Sequence, residues 1–290
     1  MLDHLTRLSD RYMQLNPPPD AGLPGILFMR QATVTRFEAT IYEPVICLIL
    51  RGSKETCIGP HRIRLSPGDA LLISHDLPVR ARITRASLAE PYLALILRID
   101  LGLIRALYDQ VADAVQGTAC ARSFATGPLD PHWAEPLARY LALVHAPLDA
   151  RVLGPSLRRE IHYRLLISPL GGMLRNLLSA QSHASRVSRA IHRLRSDLTA
   201  PPAIPALARE VGMSASSFHQ HFRQVTGTTP LQYLKELRLT RARDLLRGGA
   251  HTVATAGLAV GYESPTHFSR DYSRKFGAPP SRELSPAAAR

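Results

Sequence analysis

Between residues 25 and 100 the apolar positions fall in short runs cut by turn signals. The run Val45-Ile-Cys-Leu-Ile-Leu50 stops at Arg51-Gly52-Ser53, and Gly59-Pro60, Pro67-Gly68-Asp69 and Asp76-Leu77-Pro78 punctuate the next thirty residues or so. Short runs at this spacing predict an antiparallel meander or small barrel. From 101 to 178 the segments lengthen to helical spacing, as in Leu157, Ile161, Leu165 and Leu166 after Pro155-Ser156. The small, polar stretch 179–185 then reads as a boundary. We expect an α+β chain of two domains, 1–180 with an antiparallel barrel and a helical segment, and 181–290, all helical.

The C-terminal third contains an internal repeat. Gly212-Met-Ser-Ala-Ser-Ser-Phe218, with Phe222 and Gly227, recurs as Gly261-Tyr-Glu-Ser-Pro-Thr-His-Phe268, with Tyr272 and Gly277. Each copy reads as helix, glycine turn, helix, with 204–211 and 253–260 as the leading helices. Glycine supplies the left-handed turn, Ser214 and Ser264 supply N-cap oxygens, and Pro265 suits a first helical position. Ala208 and Gly257 are small where the helices of each copy cross. Between the copies, 230–246 predicts one amphipathic helix of about 25 Å, a rigid spacer.

Phe218 with Phe222, and Phe268 with Tyr272, lie four apart and mark the buried stripes. The opposite stripes carry Ser216, His219, Gln220 and Arg223 in one copy, and Thr266, His267, Ser269, Arg270 and Arg274 in the other. Arg270 can donate two bonds to a guanine and Gln220 can pair with adenine, while arginines further along hold phosphates. Recognition helices at the two ends of such a spacer suit successive major grooves on one face of double-stranded DNA.

Charge agrees. Residues 181–290 hold 16 Lys and Arg against 7 Asp and Glu, whereas 1–180 hold 20 against 16. A basic excess on one domain favours a polyanionic partner. Cys47, Cys57 and Cys120 form neither a disulfide framework nor a CxxC pair, which fits a reducing compartment. No signal core or membrane-length apolar run is seen, so a cytoplasmic chain without a membrane partner is expected.

At these residues the chain resembles the AraC/XylS family of transcription regulators, whose DNA-binding domain pairs two helix-turn-helix units on a long helix. The resemblance covers about 190–285 and rests on the glycine-turn motifs, Thr-Gly-Thr-Thr-Pro-Leu-Gln-Tyr at 226–233, Leu-Arg-Leu-Thr-Arg-Ala at 237–242 and Val-Gly-Tyr-Glu-Ser-Pro-Thr-His-Phe-Ser-Arg at 260–270. It implies base reading by Ser216, His219 and Gln220 in the first unit, and by Thr266, His267 and Arg270 in the second. Ser216 is short for a base reader, so the first unit is expected either to contribute less specificity than the second or to read through water. The N-terminal half is similar to the cupin-like sensor domain of one branch, through Tyr42-Glu-Pro44, Leu50-Arg-Gly-Ser-Lys54, Asp76-Leu-Pro78, Glu90-Pro-Tyr92 and 158–166. That implies a small-molecule or stress signal, with a homodimer and RNA polymerase as further partners. We place dimerisation on amphipathic segments near 101–116 and 132–145.

Cupin barrels also house metal enzymes, so a cupin enzyme fused to a DNA-binding domain is the alternative. It would need clustered His and carboxylate ligands, and the barrel region offers only His61 and His75. We therefore expect no catalytic residue, metal or cofactor. Cys47 shares a strand face with Val45 and Ile49 and reads either as a small buried hydrophobe or as a thiol sensing electrophiles or oxidants. Cys47, Ile49 and His75 are the effector-contact candidates. Arg62, Arg64 and His75 read either as contacts for an anionic effector or as strand-edge residues facing water.

Overall fold

The computed structural model describes residues 1–15, 22–112, 114–115, 122–179, 182–200 and 203–284. Cys120 and parts of the segments 101–116 and 179–185 lie outside the described residues.

The N-terminal half is two antiparallel sheets facing each other. One has the order β1 (Ile26–Gln31), β8 (Tyr92–Arg98), β3 (Val45–Arg51), β6 (Asp69–Ile73), β9 (Phe124–Pro128). The other has the order β2 (Glu38–Tyr42), β7 (Leu77–Arg85), β4 (Ser53–Ile58), β5 (His61–Leu65). The near-continuous apolar run of β3 follows from burial on both its faces. Cys47 and Ile49 join Leu71, Ile73, Tyr92 and Ala94 against Ile58, Leu65, Val79 and Ile83 of the facing sheet. Ile46 and Leu48 point the other way, into a helical layer.

That layer comprises α1 (Leu2–Leu15), α2 (Leu101–Val111), α3 (Pro131–Ala142), α4 (Pro147–Ile167) and α5 (Gly172–Leu178). Its core includes Trp133, Leu137, Tyr140, Ile161 and Leu165. The expectation of a dimer face at 132–145 loses its basis here. The apolar stripe of α3 is spent inside its own domain, with Trp133, Ala134, Tyr140 and Leu141 fully buried. The large apolar side chains left exposed nearby are Leu148, Val152 and Leu153 of α4.

The C-terminal half is α6 (His183–Ser196), α7 (Ile204–Glu210), α8 (Ala215–Thr226), α9 (Pro230–Arg247), α10 (Val253–Ala259) and α11 (Pro265–Phe276). The 18 residues of α9 span about 27 Å and serve two cores in turn. Tyr233, Leu234 and Leu237 pack with α6, α7 and α8, whereas Leu239, Ala242 and Leu246 pack with α10 and α11. No helix among the described residues is long and apolar enough to cross a membrane.

Candidate nucleic-acid interface and the cavity behind it

Each helix-turn-helix unit is assembled by local backbone chemistry. The turn after α7 is made by Gly212 with φ 71° and the turn after α10 by Gly261 with φ 83°, left-handed values that glycine adopts without a Cβ penalty. The amide of Met213 then donates to the Ala208 carbonyl, and that of Tyr262 to the Gly257 carbonyl, so both turns satisfy the preceding helix in the same way. Ser214 accepts from the Ser217 amide and Ser264 from the His267 amide, each 3.3 Å, as the N-caps of α8 and α11. Ala208 is buried, and a Cβ at Gly257 would stand 3.1 Å from the Phe268 ring. Both positions are small because the second helix of each unit crosses there.

With Phe218, Phe222, Phe268 and Tyr272 fully buried, the polar stripes turn outward. Ser216, His219, Gln220 and Arg223 are all exposed on α8. On α11, Thr266, His267, Arg270 and Arg274 are exposed and Ser269 is half-buried. The two sets differ in what already holds them. Arg274 is paired with Asp271 at 2.6 Å, and Lys235 reaches the same carboxylate at 2.7 Å. Arg223 and Arg270 have no ion-pair partner among the described residues. Ser216 is engaged with Ser214 at 3.3 Å.

α6 was not foreseen. Its Val187, Ala190, Ile191 and Leu194 follow helical spacing and bury in the first unit's core, a signal present in the sequence but next to a stretch read as boundary.

The DNA-reading half is docked on the barrel by named contacts. Tyr233 donates its hydroxyl to the Asp76 carbonyl at 2.6 Å, Arg195 pairs with the Asp76 carboxylate, and Arg243 reaches the Ala39 carbonyl at 3.3 Å. His75 belongs to this junction. Its ring is buried between Ser74 (Nδ1 to Oγ, 3.0 Å) and Ser123 (Nε2 to Oγ, 2.6 Å), and burial lowers its pKa to about 4. The Ser123 hydroxyl and amide both donate to the Val225 carbonyl in the last turn of α8, the amide at 3.2 Å.

Between the docked halves is a cavity of about 560 Å³. It occupies the open side of the two-sheet stack, between the edge strands β1 and β2, with α9 and the end of α6 as its outer wall. Leu27, Met29, Val45 and Ile96 line it from the barrel, and Leu237, Thr240, Arg241 and Asp244 from α9. Of the three effector-contact candidates, Cys47 lines this cavity; Ile49 lies in the intersheet core and His75 in the junction.

Two polar groups there escaped the sequence reading, Lys54 and Tyr42, with Tyr92 in the intersheet core behind them. Alternation along β4 turns Lys54, Thr56 and Ile58 inward, the signal that would have found Lys54. Lys54 is 3% exposed, and its ammonium donates to Tyr42 Oη at 3.2 Å and to Cys47 Sγ at 3.5 Å. Burial drives the ammonium toward neutrality, but Cys47, Tyr42 and Tyr92 outweigh it and the pKa is raised. Glu55 faces away, held by Arg62 and Arg82 on the outside of the sheet. Among the described residues no group of three or more His, Cys, Asp or Glu is placed to hold a metal ion.

Residues 22–173 match the family described as the AraC-type transcriptional regulator N-terminus, and 207–284 match a helix-turn-helix domain. Over 75 residues the chain is 37% identical to the HTH-type transcriptional activator RhaS of Salmonella arizonae; the match takes in 26% of this chain and 27% of that protein, about a quarter of the relative's length. In fold, the chain is similar to ToxT of Vibrio cholerae strain SCE256 with an unsaturated fatty acid bound, at TM-score 0.58 and 12% identity over 92% of this chain and 96% of that one. A second ToxT structure from Vibrio cholerae gives TM-score 0.56 and 11% identity over 90% and 99%.

Proposed function

Since the chain belongs to the AraC-type transcriptional regulators and carries their DNA-binding helix-turn-helix domain, we propose that it reads a bipartite DNA site with α8 and α11 and that a small molecule in the interdomain cavity sets how well it does so. The observation that carries the DNA reading is the duplicated construction: two capped, glycine-turned helices, each exposing a polar stripe, fixed to opposite halves of one 18-residue helix. Ser216, His219, Gln220, Thr266, His267 and Arg270 are assigned to base edges, and Arg223, Ser269 and Arg274 to the backbone.

Sensing is assigned to 1–180 and DNA reading to 181–290. What supports an effector is the position of the cavity, one wall barrel and the other α9, so that an occupant touches both halves; the fatty acid in ToxT, a chain of the same fold, is consistent with it. An occupant acts only to the extent that it prefers one arrangement of the halves over another. A homodimer, with the exposed Leu148, Val152 and Leu153 as its face, and a contact with RNA polymerase belong to the same reading. Sedimentation that finds monomer alone, with and without DNA, removes the dimer.

Footprinting on DNA selected from a random pool tests the central claim. Two protected segments about one helical turn apart are expected. One protected segment, or affinity independent of sequence, would overturn it.

A further inference from the structure

On the outer face of the β2-β7-β4-β5 sheet, four arginines frame one carboxylate. In register, Arg64 of β5 and Arg82 of β7 flank Glu55 of β4, and Arg62 and Arg80 flank Cys57 two residues on. The Glu55 side chain is 2% exposed and both its oxygens are engaged. Arg62 donates to them through Nε and Nη2, the latter at 3.0 Å, and Arg82 through Nε at 2.8 Å and Nη2 at 2.7 Å. Arg64 is left 3.9 Å away with its side chain 86% exposed, and Arg80 is exposed. The neighbouring acids are occupied or face elsewhere. Asp69 accepts from the Ser66 amide, Glu90 pairs with Arg85, and Glu38 is in register with Ala81, whose side chain alternates away from Arg80 and Arg82. Four arginines against Glu55 leave three positive charges uncompensated on this face.

Like charges gathered on neighbouring strands are destabilising, so stability alone does not account for this face. Its guanidiniums are held in advance. Glu55 fixes Arg62 and Arg82, and the Phe37 ring lies under Arg80 and Arg82, its centre 5.4 and 4.7 Å from their guanidinium carbons. An arginine already ordered loses less entropy when it makes a contact. Size then selects the partner. Residues two apart on a strand are about 6.7 Å apart, and the β5 and β7 rows, with β4 between them, about 10 Å. A small anion is met by one or two guanidiniums, whereas a field of this extent suits a chain of phosphates. Its place in the fold says which chain. Arg62 is three residues from Gly59, which abuts Gly227 at the end of α8, and Arg80 is in register with Ala39, whose carbonyl accepts from Arg243 of α9. The field thus borders two points at which the DNA-reading half joins the barrel.

We propose that Arg62, Arg64, Arg80 and Arg82 form a phosphate-backbone contact through which the N-terminal half grips the DNA flanking the segment read by α8. The proposal rests on the DNA-reading function and adds to it a second, sequence-independent contact, supplied by the domain assigned to sensing. An arrangement of the halves that carries the arginine field off the duplex gives up that part of the affinity and leaves the base readers intact.

The test is the salt dependence of binding by the full chain, on a duplex selected from a random pool and extended by about one helical turn on each side. Each phosphate contact contributes about 0.9 to the slope of log affinity against log salt. Arg64→Ala with Arg80→Ala, the two arginines that Glu55 does not hold, should lower the slope by about 1.8, so that between about 50 and 200 mM salt the variant loses about tenfold less affinity than the wild type. Its ranking of single-base variants of the site should not change. Arg64→Lys with Arg80→Lys keeps the charges and should keep the slope, which guards against a loss that comes from altered folding. On a duplex trimmed to the two protected segments, the wild type and the alanine variant should converge. Removal of two exposed arginines of the helical layer, Arg105 of α2 and Arg151 of α4, is the control for bulk charge and should leave the slope as it was. An unchanged slope in the alanine variant overturns the proposal and leaves the face to an acidic protein partner. An equal fall in the control, a changed base ranking, or a difference that persists on the trimmed duplex overturns it as well. A wild type that binds no duplex removes the DNA-reading function and this contact together, whereas a wild type that binds, with a slope the alanine variant shares, removes the contact alone.

Discussion

In the first helix-turn-helix unit, Gly227 at the end of α8 is pressed against Gly59 of the β4–β5 hairpin, so closely that a Cβ on Gly59 would stand 2.6 Å from the Gly227 carbonyl oxygen; in the second unit, the matching Gly277 at the end of α11 has nothing within 4 Å of its Cβ position. At the turn the situation is reversed. Gly212 is open, whereas a Cβ on Gly261 would meet the Leu198 carbonyl and Thr199 at 2.8 Å. Residues that repeat in sequence with one local job thus differ in what surrounds them. The first unit is fastened to the barrel through the end of its recognition helix, and the second to the 197–200 segment through its turn, where Arg238 also donates to the Leu198 and Ala200 carbonyls at 2.7 and 3.0 Å. A signal from the barrel therefore enters α8 at its C-terminal end, while the second unit meets the barrel at β2, through α11 and through Arg243 of α9.

The largest effect that would separate the two units comes from their turn glycines. Gly212→Ala carries only the left-handed backbone penalty, about 1–2 kcal/mol. Gly261→Ala carries the same penalty plus overpacking against backbone, about 1–3 kcal/mol more. Denaturant unfolding of both variants checks the difference, and equal losses would show that the 197–200 segment yields at no cost.

The junction at His75 gives the next effect. Its folded pKa lies near 4, below the 6.5 of a free imidazole, because burial disfavours the charged form. Between those values the unfolded chain binds more protons than the folded one, so the stabilisation is fully present above about pH 6.5 and is lost as pH falls toward 4, at up to about 1.4 kcal/mol per pH unit. In a His75→Gln variant that part of the acid slope should disappear. An unchanged slope from pH 4 to 6.5 would place the sensitivity elsewhere.

How much of this was legible depends on the range of the forces involved. The glycine turns, the serine caps and the aromatic stripes are set by residues within about ten positions of one another, and the same construction recurs at an offset of 50. The antiparallel strands were legible for the same reason. What brings Gly59 to Gly227, or Ser123 to Val225, is backbone meeting backbone across more than a hundred residues, with no pattern in either segment to announce it. His75 illustrates the consequence: read as an effector contact, it is a bridge between two serines on the way to a helix end. Lys54 is an intermediate case. Alternation along β4 was enough to turn it inward, but a lysine on an inward face is ordinarily an argument against the register rather than a pointer to a site.

For DNA reading the comparison predicts unequal recognition helices. Arg270→Ala, which removes an exposed guanidinium with no ion pair to lose among the described residues, should weaken binding by about 1–3 kcal/mol and relax preference at one position. Gln220→Ala should cost less, because its neighbour Ser216 is short and engaged with Ser214. Competition assays across single-base variants of a selected site check both. A loss uniform over all variants would make Arg270 a phosphate contact, and a larger effect at Gln220 would reverse the ranking of the two units.

The smallest effect tests whether the docking of the first unit is itself linked to DNA reading. Tyr233→Phe deletes the hydroxyl that reaches the Asp76 carbonyl at 2.6 Å and leaves the ring in the core it shares with Phe222, so the loss of one hydrogen bond, about 0.5–1.5 kcal/mol, is confined to the junction. Were docking and DNA binding independent, the variant would lose that stability with its DNA affinity unchanged. If α8 must shift on the barrel to enter a groove, loosening the junction favours the shifted form and the variant binds DNA more tightly, by up to about tenfold for the same free energy. Tighter binding carried by the α8 half of the site and absent from the α11 half would tie the effect to the unit whose recognition helix ends on the barrel.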